Sequence, residues 1–245
     1  MLLVRDVRIE VGIRVLLDEA SFTLQAGDKV GLVGRNGAGK TTLMKTLIGQ
    51  KEPAGGTVLR TGTVGYFSQE VSNADLEHED TTGFERVLAA RDVGGMQRRI
   101  EHARRRIEGK EGEEQAAAIR RFSRLNDEFE ALGGLKLEAE AKRIAAALGI
   151  GNDELEQPVV TMSGGQRRRI ELARILFSET DVMLLDEPTN HLDLDAKSWL
   201  MDYLDGYKGG LLVISHDLPL LDQSITSVLA VDHGRLEPYR GNYTH

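Results

Sequence analysis

Gly34-Arg35-Asn36-Gly37-Ala38-Gly39-Lys40-Thr41 has the spacing Gly-x4-Gly-Lys-Thr. It lies between a short apolar run, Lys29 to Val33, and Thr41 to Ile48, whose spacing predicts a helix ending near Gly49. Strand, glycine-rich turn and helix in that order make a phosphate cradle. The glycines let backbone N–H groups turn inward around phosphate oxygens, and the helix start adds the positive end of its dipole. In such a P-loop Lys40 reaches the β and γ phosphates and the Thr41 hydroxyl binds Mg²⁺. Gly34, Asn36, Gly37, Ala38, Gly39, Lys40, Thr41 and the adjoining Thr42 are therefore the candidate nucleotide ligands.

Two further segments complement the loop. Val182-Met183-Leu184-Leu185 is an apolar strand that ends in Asp186 and Glu187, which puts both carboxylates at the carboxyl end of the sheet, beside the P-loop. Asp186 suits a magnesium shell, and Glu187 suits a general base for an attacking water, because the apolar strand before it fixes its backbone. Alone, the pair would read as an acidic turn. Met162-Ser163-Gly164-Gly165-Gln166 precedes a helix bearing Arg167, Arg168 and Arg169, so its backbone donors sit at a second helix N-terminus. Alone, Ser163 would be a plain helix cap.

Outward from these motifs, Leu2 to Leu24 runs in short β-branched and leucine-rich segments broken at Gly12 and Asp18, which predicts antiparallel strands at a sheet edge. A strand pair is expected at Thr57 to Arg60 and Thr63 to Phe67, with Gly62 at the turn. Residues 70–162 are rich in Ala, Glu and Arg and carry three amphipathic stripes. These are Met96, Ile100, Ala103, Ile107; then Ile119, Phe122, Leu125, Phe129, Leu132; then Leu137, Ala141, Ile144, Leu148. After Met162 a helix (Gly165 to Phe177), a strand (Val182 to Leu185), a helix (Ala196 to Leu204) and a strand (Leu211 to Ile214) alternate, which calls for a mostly parallel sheet. The expected fold is an α/β core, residues 1–69 and 163–245, with an antiparallel β edge and an inserted α-helical subdomain, residues 70–162, that can carry an arm.

Composition narrows the setting. A chain of 245 residues buries a self-sufficient core. It has no cysteine, which fits a reducing compartment and equally fits many secreted proteins. The longest apolar stretches, such as Leu211 to Ile214, fall far below the roughly 20 residues a membrane-spanning helix needs. The start, Met-Leu-Leu-Val-Arg-Asp, lacks the order of a secretory signal, so a cytoplasmic location is expected. A net charge of −8 argues against the whole surface binding nucleic acid, though not against a local basic patch.

Taken together the motifs resemble those of ABC ATPases. The P-loop, Tyr66-Phe67-Ser68-Gln69, Ser163-Gly164-Gly165-Gln166, Asp186-Glu187-Pro188-Thr189-Asn190-His191-Leu192-Asp193 and Ser215-His216-Asp217 occur in that family's order, over nearly the whole chain. The resemblance implies a P-loop NTPase of ABC type that sandwiches Mg-ATP against a second cassette. It implies that Gln69 joins Thr41 and Asp186 at the metal and couples the site to the helical lobe. It also implies that Ser163 and Gly165 contact the γ-phosphate of ATP held by the opposite cassette, with Gly164, Gln166 and Asp193 also among the nucleotide-binding residues, that Asp193 lies at the dimer seam, and that His216 senses the γ-phosphate. The finer resemblance is to the ABC-F branch of translation factors and ribosome-protecting ATPases. It rests on Pro188 to Asp193, on the lack of an apolar stretch long enough to span a membrane, and on Tyr239-Arg240-Gly241-Asn242-Tyr243, which resembles the close of the first of two cassettes. Ribosome and RNA are then the expected partners; the nucleotide-binding subunit of a membrane transporter is the alternative.

Two features stand apart from the motifs. Where most cassettes place an aromatic residue to stack on adenine this chain has Val11, and the loss of a stacking contact worth very roughly 1–3 kcal/mol would relax the preference for ATP over GTP. Arg98 to Arg124 holds nine basic and five acidic residues. One reading is a solvated helix pair with bridges such as Glu101 to Arg105; the other is that Arg98, Arg99, Arg105 and Arg106 contact RNA phosphates.

Overall fold

In the computed structural model, which describes residues 1–68, 81–91 and 93–242, apolar alternation builds two facing strands. Strand β1 (Leu2–Val11) buries Leu2, Val4, Val7 and Ile9, and β2 (Arg14–Leu24) buries Leu17, Ala20 and Leu24. Each set switches from even to odd positions or back, because each strand carries a bulge. The register runs Val4 to Phe22, Val7 to Ala20 and Ile9 to Leu17, with Asp6 and Glu19 at φ 50 and 53. Asp18 is thus part of a bulge inside a continuous strand, and the expected break there is absent.

Strand β4 (Gly55–Arg60) pairs with β1 and completes a three-stranded antiparallel sheet in the order β2-β1-β4. It does not pair with β5 (Val64–Phe67), as the sequence had suggested. Past Gly62, at φ 84, the Asp181 carboxylate accepts hydrogen bonds from Thr63 N and Oγ1 at 2.7 and 2.9 Å. That contact pins the start of β5 to the start of β6 (Val182–Asp186) in a second sheet. This six-stranded sheet has the order β5-β6-β7-β3-β8-β9, with β3 (Lys29–Gly34), β7 (Gly210–Ile214), β8 (Ser227–Asp232) and β9 (Arg235–Arg240). All neighbours are parallel except β8 and β9. Every residue of β6 and β7 is buried, as expected for parallel strands covered on both faces.

The chain divides into two compact units, Met1–Glu70 with Glu179–His245, and Val71–Ser178. The first holds both sheets, α1 (Lys40–Leu47), α8 (Leu194–Gly206) and α9 (Leu218–Ser224). The second is helical: α2 (Gly83–Leu88), α3 (Val93–Arg105), α4 (Gly112–Ala131), α5 (Gly134–Ala147), α6 (Asn152–Leu155) and α7 (Gly164–Phe177). The three stripes fall on α3, α4 and α5, apart from Ile107, Leu132 and Leu148 just past the helix ends; Ala103, Leu125, Phe129, Ala141, Ile144 and Leu148 are buried, whereas Ile119 and Leu132 at the ends of the second stripe are exposed.

Helix α7 belongs to the helical unit, although the expected boundary after residue 162 gave it to the core. Its buried Ile170, Ala173 and Phe177 explain this, since α7 packs on α2 and α5. Two arginines from outside the helix, Arg86 and Arg91, then clamp it, and its own Arg174 assists. Arg86 and Arg174 grip Glu171 at 2.6 and 2.8 Å. Arg91 donates to the Phe177 carbonyl, lies 4.2 Å from that ring's centroid, and forks onto Glu140 at 3.1 and 3.0 Å.

Candidate nucleotide site

Strand β3 ends in the P-loop and α1 begins at Lys40, so the loop is stretched between a buried strand and a buried helix. Its glycines are required by its conformation. Gly34 has φ 151 and a side chain there would meet the Val231 carbonyl oxygen at 2.8 Å; Gly39 has φ 99 and a side chain there would meet Leu16 Cβ at 3.0 Å. Ala38 packs partly into the core. Lys40 Nζ donates to the Gly34 and Arg35 carbonyls at 2.7 and 3.1 Å, curling over the loop. Burial pulls the Lys40 ammonium down, against the opposing pull of Glu187 and Asp186.

The carboxylates stand where the strand reading expected them. Thr41 Oγ1 donates to Asp186 Oδ2 at 2.7 Å, and Asp186 is only 1% exposed. A hydroxyl and a carboxylate this close are hard oxygen donors of the kind that, together with phosphate oxygens, hold Mg²⁺. Glu187 follows at φ 54, a left-handed conformation that is costly for a residue with a side chain. It is held there by its own N–H, which donates to the Ile214 carbonyl at 2.8 Å. Its carboxylate accepts from the His216 backbone N–H at 3.3 Å and lies 3.4 Å from His216 Nε2. Burial pushes the Glu187 carboxyl above the usual range, which the His216 hydrogen bond only partly offsets.

Lys40, Thr41, Thr42, Asn36, Gly37 and Gly39 line one cleft of about 570 Å³ with Asp186, Glu187 and His216. Three lining residues escaped the sequence reading: Leu16, Asn190 and Ile214. Leu16 is half-buried, packs against the core and lies beside Gly39, so as one more core leucine next to Leu17 it carried no signal of its own. Val11 does not line the cleft; it sits 52% exposed at the turn of the first hairpin, opposite Arg14. Asp193 caps α8, accepting from Ala196 N at 2.9 Å. Gln69 and Tyr243 lie outside the described residues.

Ser163, Gly164, Gly165 and Gln166 belong to the helical unit. Ser163 caps α7, accepting from Gln166 N at 3.2 Å, while Gln166 Oε1 accepts from Ser163 N at 2.8 Å. A side chain at Gly164 or Gly165 would meet nothing within 4 Å, so these glycines leave open space beside the helix-start amides.

A glycine-bent loop between strand and helix, with its hydroxyl on a buried carboxylate at the carboxyl end of a parallel sheet, defines a P-loop nucleotide-binding domain. The profile of the family described as "ABC transporter" matches residues 17–190. The chain belongs to this ABC family of ATP-binding cassettes, and members of its ABC-F branch are among its relatives. The probable ATP-binding protein YheS of Escherichia coli K12 is 33% identical over 249 residues, covering 100% of this chain and 36% of the relative. The energy-dependent translational throttle protein EttA of Mycobacterium tuberculosis H37Rv is 33% identical, covering 98% and 42%. ABC transporter F family member 5 of Arabidopsis thaliana is 33% identical, covering 95% and 34%. The chain thus spans 34% to 42% of these relatives' length. A solved structure described as the ATP-binding subunit of an ABC transporter shares the fold, with a TM-score of 0.71 at 20% identity over 98% of this chain and 90% of that one. Among the described residues no helix is long and apolar enough to cross a membrane.

Proposed function

We propose that this chain is an N-terminal, ATP-hydrolysing cassette of an ABC-F protein, that a second cassette completes its site, and that the pair acts on the ribosome, in translation or ribosome protection, in the cytoplasm. The observation that carries the reading is the 2.7 Å contact of Thr41 with Asp186 in the same cleft as Lys40, Glu187 and His216. Those groups are what cleavage of a γ-phosphate needs.

The P-loop amides and Lys40 bind the phosphates and offset their charge. Thr41 and Asp186, with Gln69, would hold Mg²⁺, which supplies Lewis-acid charge neutralisation when bound. Glu187 takes the proton of the water that attacks in line with the leaving oxygen, a role suited to a carboxyl whose burial has raised its proton affinity. His216 follows the γ-phosphate in this reading, which is supported by its backbone bond to Glu187 and its largely exposed ring. Ser163 and the amides after it donate to the γ-phosphate held by the opposite cassette. The ribosomal role is supported by EttA, whose name describes a translational throttle. It is also supported by α3 and the turn after it, where Arg98, Arg99, Arg105 and Arg106 are exposed.

The test is E187Q in the full-length protein. We expect Mg-dependent ATP hydrolysis to fall by about 10²-fold or more, the usual worth of a positioned base, while the variant accumulates with ATP bound and the cassettes closed. Hydrolysis at the parental rate would refute the assignment of the base. Sedimentation of the trapped form with membranes and not with ribosomes would refute the ribosomal reading.

A further inference from the structure

A serine hydroxyl offers its proton outward when its oxygen already accepts a hydrogen bond and its backbone is held. For Ser163 the backbone N–H of Gln166 meets the first condition, and the second depends on the Gln166 side-chain amide being the right way round. The Gln166 N–H donates to Ser163 Oγ, and the Gln166 amide oxygen accepts from Ser163 N–H. Flipping that amide would set its NH₂ against the Ser163 N–H, donor against donor, and open the cap.

The residue that decides the orientation lies outside the segment. Glu154, on α6, accepts through Oε1 from Gln166 Nε2 at 2.6 Å and through Oε2 from Gly151 N at 3.0 Å, with Arg169 at 3.6 Å. Hydrogen bonds from Gln166 and Gly151 hold the Glu154 carboxyl below the usual range, so it stays ionised and only accepts. Gln166 must therefore turn its nitrogen to Glu154 and its oxygen to Ser163.

The structure assigns Glu154 as a positioning residue for the Ser163 hydroxyl, acting through the Gln166 amide so that the serine proton is left for a phosphate oxygen of the opposite cassette's nucleotide. Gln166 is then an orienting residue, since both ends of its amide are engaged within the helical unit. The assignment rests on the reading of Ser163 given above.

The experiment measures kcat, KM and Tm for ATP hydrolysis by the full-length protein carrying S163A, E154Q, Q166E or the double change E154Q/Q166E. E154Q places an amide where two donors converge, and Q166E sets carboxylate against carboxylate. The double change restores alternating donors and acceptors from Gly151 to Ser163. We expect each of these single changes to lower kcat about 5- to 10-fold, the worth of one ordinary hydrogen bond, with KM unchanged because the P-loop side of the site is untouched. The double change should return kcat to within about twofold of the parent. A role in folding alone would move Tm and leave kcat of the folded single variants at the parental value. If S163A is impaired while E154Q is not, or if the double change does no better than the worse single one, the assignment of Glu154 is overturned and the reading of Ser163 stands. S163A at the parental rate overturns that reading and the assignment with it.

Discussion

Glu187 is the residue at which local preference and chemistry conflict most. An ordinary glutamate avoids both a left-handed backbone and burial, yet this one has φ 54 and is 7% exposed. Strain of this kind costs on the order of 1–3 kcal/mol and persists only where surrounding structure over-determines it. Here the Ile214 carbonyl and the His216 N–H do so. The consequence is measurable in the pH dependence of turnover. A base works in its deprotonated form, and burial raises the Glu187 pKa above that of a free carboxyl. Hydrolysis should therefore decline as pH falls through a midpoint above the usual carboxylate range. The check is log kcat against pH at saturating ATP, with pH-independent binding as control. A midpoint at the value of a free glutamate would show that burial does not tune this base.

At the scale of elements, α7 shows how a helix that begins in a functional motif is fixed from its far side. Glu171 is half a turn of charge chemistry by itself: burial pushes its carboxyl up, but Arg174 and Arg86 together outweigh that and leave it below the usual range. A carboxyl depressed by folding stabilises the native state above its unfolded pKa, and that contribution is lost as pH falls through the folded value. E171Q should destabilise the helical unit by about 1–3 kcal/mol near neutral pH, since its amide keeps one acceptor oxygen, turns an NH₂ toward the other guanidinium, and removes the charge that both arginines face. Denaturant unfolding of the variant and parent should converge in acid, below the ordinary glutamate range. Convergence at alkaline pH instead would contradict the sign. The same scale shows what the sequence could reveal. The P-loop and the strand ending at Asp186 were legible because their chemistry depends on contiguous residues, and the stripes on α3, α4 and α5 because period alone encodes them. The paired bulges were not legible, since Asp6 and Glu19 look like any polar strand residue until their partners are known. Gly62 permits a hairpin as readily as a crossing between sheets; Asp181, far along the chain, decides. Helix α7 was assigned by its motif, when its buried face had the deciding vote.

For the molecule as a whole, the decisive contrast is between a net charge of −8 and the segment Arg98 to Arg124, whose nine basic and five acidic residues run against it. Part of that basic surface is internally compensated: Glu101 lies 3.2 Å from Arg105 and 3.9 Å from Arg104, as the solvated-helix reading expects. Such exposed pairs contribute at most about 1 kcal/mol and are screened by salt, so they do not prevent the arginines from taking phosphate partners instead. If Arg98, Arg99, Arg105 and Arg106 neutralise RNA phosphates, each contact releases condensed counterions. The logarithm of the binding constant should then fall with the logarithm of salt concentration by roughly 0.7 to 0.9 per contact. Replacing all four by glutamate should abolish co-sedimentation of the full-length protein with ribosomes at moderate salt and flatten that slope. ATP hydrolysis measured without ribosomes should stay at the parental rate, because these residues belong to the helical unit and line no part of the nucleotide cleft. Binding that keeps both its strength and its salt dependence in the variant would return the basic residues of α3 to the role of a solvated surface.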